Sequence, residues 1–273
     1  MTTTKLRSTL VVAAFLLAAT PALFASCSSD DDKDTAFSTV EVKKTVPLTG
    51  GNGSPKCTVN LKISYASDGK DSCSRKINAT LCKELFGSDG DDVPKTARAF
   101  AGSYADNYKG SMAKFYAADR ADSRKSSWYE YRYDMETGVE DGRKGIVVYT
   151  AKLDYYEGGA HGISQTITLN FDKATGRCIR LDDLFVEGAE KRLAEILLEK
   201  LQEAAGAKDM AGLKDKGYLN ATDIYAPQNF ILGKKDITFI YNIYEIAPYE
   251  QGITTLSVSY SDLKELLTKD FND

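Results

Sequence analysis

Between Gly145 and Leu181 the chain carries two long β-forming runs in quick succession, and this narrows its fold more than any other feature. Ile146 to Tyr156 is dense in β-branched and aromatic residues, and Ile163 to Phe171 is of the same kind. Such side chains suit a pleated, half-buried surface. The connection between them, Glu157-Gly158-Gly159-Ala160-His161-Gly162, is glycine-rich and able to turn sharply. Asp172-Lys173-Ala174-Thr175-Gly176 then reads as a hairpin loop, with Gly176 available for a positive φ angle. A third strand carrying Cys178, Ile179 and Leu181 follows, so the segment predicts an antiparallel meander closed by Leu184-Phe185.

Upstream, Cys57 to Tyr65 alternates apolar with polar residues, the period of a strand with one buried face, and Asp68-Gly69 ends it. Ile77, Leu81, Leu85 and Phe86 recur at helical spacing up to Gly87, and Ser88 to Pro94 reads as a loop. Phe100, Tyr104, Tyr108, Met112 and Phe115 place an apolar stripe on a longer helix, from about Lys95 to Ala117. Trp128, Tyr129, Tyr131 and Tyr133 mark the next strand, with three tyrosines on one face. Exposed, they would form a platform for sugar rings; buried, they would fill core volume, which is the simpler reading.

Downstream, Leu193, Ile196, Leu197 and Leu201 define a helix over Ala189 to Ala205, stopped by Gly206. Phe230 to Leu232, Ile237 to Tyr244 and Thr255 to Ser259 read as strands. Ser261 is the expected N-cap of a last helix holding Leu263, Leu266 and Leu267. Grouped strands, few helices and no regular βαβ alternation predict an α+β fold. Mainly antiparallel sheets with packed helices are expected, in two closely associated subdomains spanning residues 40–135 and 145–273, with the boundary between Arg120 and Gly145.

The first residues read as an export signal over 1–26. Lys5 and Arg7 precede an apolar stretch from Leu10 to Ala25 that Pro21 interrupts, too short and too broken for a membrane span. Leu23-Phe24-Ala25-Ser26-Cys27 resembles a bacterial lipobox, which implies fatty acylation of Cys27 as the mature first residue; Phe24 departs from the usual leucine. Residues 27–39 then form a polar tether whose Asp30-Asp31-Asp32-Lys33-Asp34 run is similar to the address of surface lipoproteins in Bacteroidetes-type bacteria. A body anchored to the outer membrane and exposed at the cell surface is expected, with the periplasmic face as second choice.

The formal charge is −4, and losing Lys5 and Arg7 with the leader makes it −6. No Lys/Arg stripe occurs that could neutralise a run of phosphates, so nucleic acid is an unsuitable partner. Cys57, Cys73, Cys82 and Cys178 are an even set in a compartment that permits disulfides, and two bridges or buried free thiols both fit. No metal site and no cofactor are expected, since no Cys-x-x-Cys pair exists and His161 is the one histidine. His161 in its glycine-rich loop reads as a residue that holds a turn more simply than as a lone base. Asp182-Asp183, or Glu245 with Glu250, could form a carboxylate pair, yet nothing singles one out, and Asp182-Asp183 reads as a turn or cap. Catalysis is therefore not the leading expectation.

One combination of segments is more specific. Tyr155 to Gly162, Thr168 to Asp172, Thr175-Gly176, Leu181 to Phe185 and Tyr244 to Gly252 resemble, in order and spacing, the extracytoplasmic domain of the RsiV-type lysozyme-sensing anti-sigma factor. The preceding half is similar to the accessory domain found before the catalytic domain of PdaC-type peptidoglycan deacetylases. The resemblance implies a two-part α+β module, with a protein ligand such as a lysozyme-like enzyme as precedent. It points to Tyr156, Gly158, Gly159 and His161 as a candidate binding loop. The alternative is a carbohydrate-binding protein or hydrolase acting on cell-wall or dietary glycans.

Overall fold

A computed structural model describes residues 35–67, 71–119 and 123–272. The leader, Cys27, most of the acidic tether and the Asp68-Gly69 turn lie outside the described residues. Six strands form one sheet in chain order: β1 (Phe37–Pro47), β2 (Lys56–Ala66), β3 (Tyr131–Asp141), β4 (Ile146–Glu157), β5 (Ile163–Asp172) and β6 (Cys178–Ile179). β2 and β3 pair in parallel and the other neighbours are antiparallel. The parallel step needs a long crossover, supplied by α1 (Ser72–Phe86) and α2 (Val93–Asp119). A second sheet of three antiparallel strands joins β7 (Phe230–Leu232), β8 (Asp236–Tyr241) and β9 (Thr254–Ser259). The remaining helices are α3 (Leu181–Leu184), α4 (Glu190–Ala205), α5 (Met210–Asp215) and α6 (Tyr260–Leu263). The architecture is α+β, as expected. Among the described residues no helix is long and apolar enough to cross a membrane.

The hydrophobic residues gather into two clusters, and they divide by sheet face. On one face, Cys57, Val59, Leu61 and Ile63 of β2 pack with Ile77 and Leu81 of α1 and Ala97 and Ala101 of α2. Burying a side chain such as Leu61 or Ile63 stabilises the fold by about 1.5–3 kcal/mol. β4 sends Val147, Tyr149, Ala151 and Leu153 into this cluster and its alternate residues Ile146 and Val148 into the other. The second cluster holds Leu193, Leu197 and Leu201 of α4 with Phe230, Phe239 and Val258 of the small sheet. Between Arg120 and Gly145, where a subdomain boundary was expected, the chain forms β3, an inner strand bonded to both β2 and β4.

Beyond the two-residue β6, β5 has no strand on that side, and three asparagine amides take over there. Asn170 accepts from Leu232 N (2.8 Å) and donates to Phe230 O (2.7 Å). Asn229 accepts from Thr168 N (2.8 Å) and donates to Thr166 O (2.8 Å). Asn242 accepts from Thr166 N (2.7 Å). Each amide presents a donor and an acceptor like a peptide group, so this seam joins the two sheets while satisfying buried backbone.

Several local expectations need correction. Residues 37–47 form β1, although tether composition was expected through position 39 and no strand was expected beyond it. Pro94 lies in the first turn of α2 rather than in a loop; its missing N–H has no helical partner there to lose. Trp128 and Tyr129 belong to a 3₁₀ turn (Ser123–Tyr129), and the strand starts at Tyr131. Tyr131 and Tyr133 pack against Tyr108, Phe100 and Tyr104 of α2 at ring separations of 4.9–5.1 Å, so these tyrosines fill core volume. Ser259, not Ser261, caps α6, because its extended backbone lets Oγ accept from Asp262 N (3.1 Å). Gly176 does take a positive φ, +69°, and an added Cβ would lie 2.4 Å from the Cys73 carbonyl oxygen.

Candidate functional site

The strand registers place one end of the large sheet opposite the point where the chain enters it. Phe37 of β1 lies across from Ala66, the last residue of β2, whereas Cys57 near the start of β2 lies across from Tyr131, which faces Glu157. The loop from Glu157 to Gly162 is therefore at the far end of β1. That strand has eleven residues, which at about 3.3 Å each spans about 36 Å.

Within this loop Gly158 and Gly159 have φ of +84° and +92°, a region closed to most side chains. A Cβ on Gly158 would sit 2.6 Å from the carbonyl oxygen of Trp128. The Tyr156 hydroxyl donates to Gly159 O at 2.9 Å and fastens the turn. Tyr104 of α2 donates to Glu157 Oε1 at 2.7 Å, and burial together with that carboxylate pushes its hydroxyl far above the ordinary phenol range. A shallow cleft of about 400 Å³ beside the loop is lined by Lys56, Glu130, Tyr131, Arg132, Tyr156 and Gly162.

His161 does not stand alone. Its ring stacks on Tyr249 with centroids 3.8 Å apart and planes 26° apart, and its Nε2 lies 3.3 Å from the Tyr244 hydroxyl. Nδ1 lies 3.1 Å from Gly162 O. Both tyrosines come from the connection between β8 and β9, which Asn242 holds against β5 through Thr166. Tyr244 has φ of +72° and is 57% exposed. A left-handed backbone costs a non-glycine residue about 1–2 kcal/mol, so the fold holds this ring outward at some expense. Trp128, whose carbonyl abuts Gly158, is 53% exposed, with the Lys125 ammonium 5.9 Å from its ring.

The candidate loop residues Tyr156, Gly158, Gly159 and His161 thus occupy one turn. Tyr244 and Tyr249, which complete the cluster, were not among the candidates, although both lie in the Tyr244 to Gly252 run that carried the resemblance. The carboxylates separate by role. Asp183 Oδ2 accepts from Arg180 N at 2.7 Å in the first turn of α3 and pairs with Arg177, so it is a cap. Glu245 Oε2 accepts from Asn242 N at 2.9 Å. Among the described residues no group of three or more His, Cys, Asp or Glu is arranged to hold a metal.

The four cysteines considered for bridges are free thiols, three of them buried. Cys73 and Cys82 are nine residues apart on α1, about 13 Å along the helix, beyond disulfide reach of one another. Cys82 Sγ lies 3.5 Å from Thr96 Oγ1 and Cys73 Sγ 3.5 Å from Lys173 O. Cys57 is fully buried in the sheet, and burial raises its thiol to about 11. Cys27, the expected acylation site, lies outside the described residues.

Comparison with known proteins finds likeness in part of the chain and in its fold. No curated protein matches the chain. A DUF3298-family protein from Bacteroides fragilis, known by crystal structure, is 28% identical, with 87% of this chain and 96% of that one covered and a TM-score of 0.78. A DUF3298-family protein from Pseudomonas aeruginosa shares the fold at 16% identity, with 87% and 97% covered and a TM-score of 0.58. Residues 182–261, which include Tyr244 and Tyr249 but not His161, match the family model described as a protein of unknown function, DUF3298. The chain thus carries a DUF3298 domain match over residues 182–261 and shares the fold of two solved DUF3298-family proteins.

Proposed function

We propose that the chain is a non-catalytic binding module, held to the outer membrane by lipid on Cys27 and presenting its aromatic end to a protein ligand such as a lysozyme-like enzyme. The observation that carries this reading is the His161, Tyr244 and Tyr249 cluster. Two loops about 80 residues apart in sequence are brought together there, and one ring stays outward on a left-handed backbone. Exposed aromatics held rigidly at one end of the sheet suit recognition, because they bury large area while losing little side-chain entropy. The end lies about 36 Å from where the chain enters the fold, so a tether at Thr35 leaves it pointing outward. An acidic body steers a basic partner such as lysozyme. The resemblance to the RsiV-type module supports the same ligand class.

Titration calorimetry of the purified protein with lysozyme tests this. Salt-sensitive binding is expected, and it should fall when His161, Tyr244 and Tyr249 are replaced by alanine. No heat at tens of micromolar protein overturns the proposal, and binding to peptidoglycan fragments in its place would assign the aromatic end to glycans.

A further inference from the structure

Among the described residues, the large sheet has one long edge with no paired strand. β6 at the far side has two residues, whereas β1 has eleven, bonded to β2 along one side and covered on one face by α2. Its other side is a row of backbone donors and acceptors up to Pro47, which has no N–H. Soluble proteins rarely leave such an edge without a partner or a guard.

The open face of the sheet says what that partner should carry. Directly opposed residues on adjacent strands alternate in charge: Lys152 of β4 faces Glu136 of β3, Glu136 faces Lys62 of β2, and Lys62 faces Glu41 of β1. Lys62 and Glu136 are 2.7 Å apart. The row stops at Glu41, an acid at the edge, and the next strand should present a base. β1 itself does so. Two copies of an antiparallel edge strand related by a two-fold axis must be centred on a residue, and centring on Val42 sets Glu41 opposite the partner's Lys43 and Lys43 opposite the partner's Glu41. All eleven residues then overlap, Phe37 against Pro47. Sliding the centre by one residue either way places Glu41 on Glu41 or Lys43 on Lys43, with like charges in contact. Within one chain Glu41 and Lys43 are 3.9 Å apart with side chains 59% and 76% exposed, so both are accessible to another copy.

We infer that β1 is a self-association edge: two copies pair through β1 in antiparallel register about Val42, giving a twelve-stranded sheet across the dimer. The contact is narrow, as befits a reversible dimer favoured by crowding on a surface.

Sedimentation equilibrium on the purified full-length chain tests the inference, with circular dichroism confirming that each variant folds. Wild type should show a monomer–dimer equilibrium. Glu41→Lys alone and Lys43→Glu alone should each weaken it by about tenfold or more, because either change creates two like-charge pairs across the axis. A mixture of the two variants should associate again, since the lysines of one then face the glutamates of the other. Wild type that stays monomeric at about 100 µM overturns the inference. A dimer indifferent to both reversals, or a mixture that fails to recover, overturns it equally.

Discussion

Two neighbouring regions of the molecule use the same stretch of chain in opposite ways. In the seam between the sheets, Asn170, Asn229 and Asn242 spend their amide groups on the backbone of β5 and β7. Two residues beyond Asn242, Tyr244 turns its ring to solvent on a left-handed backbone. One region is polar, enclosed and satisfied; the other is aromatic, open and unsatisfied in area. The difference teaches how the fold supports the site. A buried polar group without a partner is costly, so the seam admits few arrangements and fixes where the loop begins, and the Tyr244 ring is then aimed outward with only His161 and Tyr249 beside it.

Breaking the seam should have the largest effect. Asn170→Leu leaves Leu232 N–H without its side-chain partner and Phe230 C=O with only the Thr168 hydroxyl, and should lower the unfolding free energy by about 1–3 kcal/mol in urea denaturation. Near-wild-type stability would mean that the amides are incidental. At the other region the same measurement should barely move. Tyr244→Gly relieves the positive φ but gives the unfolded chain more freedom, so stability should stay within about 0.5 kcal/mol while affinity for the protein ligand falls at least about tenfold. A large stability loss would make Tyr244 structural.

Glu245 lies between the two regions and sharpens the comparison by a smaller amount. Burial holds its carboxyl above the usual range despite the Asn242 N–H it accepts, so the folded chain keeps this proton more tightly than the unfolded chain. Its favourable contribution is complete at low pH and declines as pH rises from about 4.5 through the raised value. Glu245→Gln should flatten that part of a stability–pH profile measured by denaturant titration, and an unchanged slope would show that the carboxyl is solvated.

Much of the fold was legible because it rests on local periodicity. The alternation from Cys57 to Tyr65, the stripes on α1 and α4, that on α2 as far as Met112, and the glycines at 87, 176 and 206 each report burial or backbone conformation within a few residues, whereas Phe115, expected in the α2 stripe, is 64% exposed because the helix end runs past the sheet. β1 was harder to see. Its apolar face, Val40, Val42 and Val46, is only half-buried at the sheet edge, and lysines and an acid dilute the pattern. At the site, the turn around His161 was visible as glycines, while its stacking partner was not, since Tyr249 arrives from another strand connection.

Sequence by itself determined the three long helices, most strands, the α+β class and the turn that carries His161, because each follows from side-chain period and glycine chemistry in one short segment; the short α3 and α5 were not read from it. Tertiary structure alone decided the parallel pairing of β2 with β3, the division of the core by sheet face, the asparagine seam and the meeting of His161 with Tyr244 and Tyr249. These depend on which distant backbone groups lack partners once local structure has formed. That account closes only when the whole chain is packed.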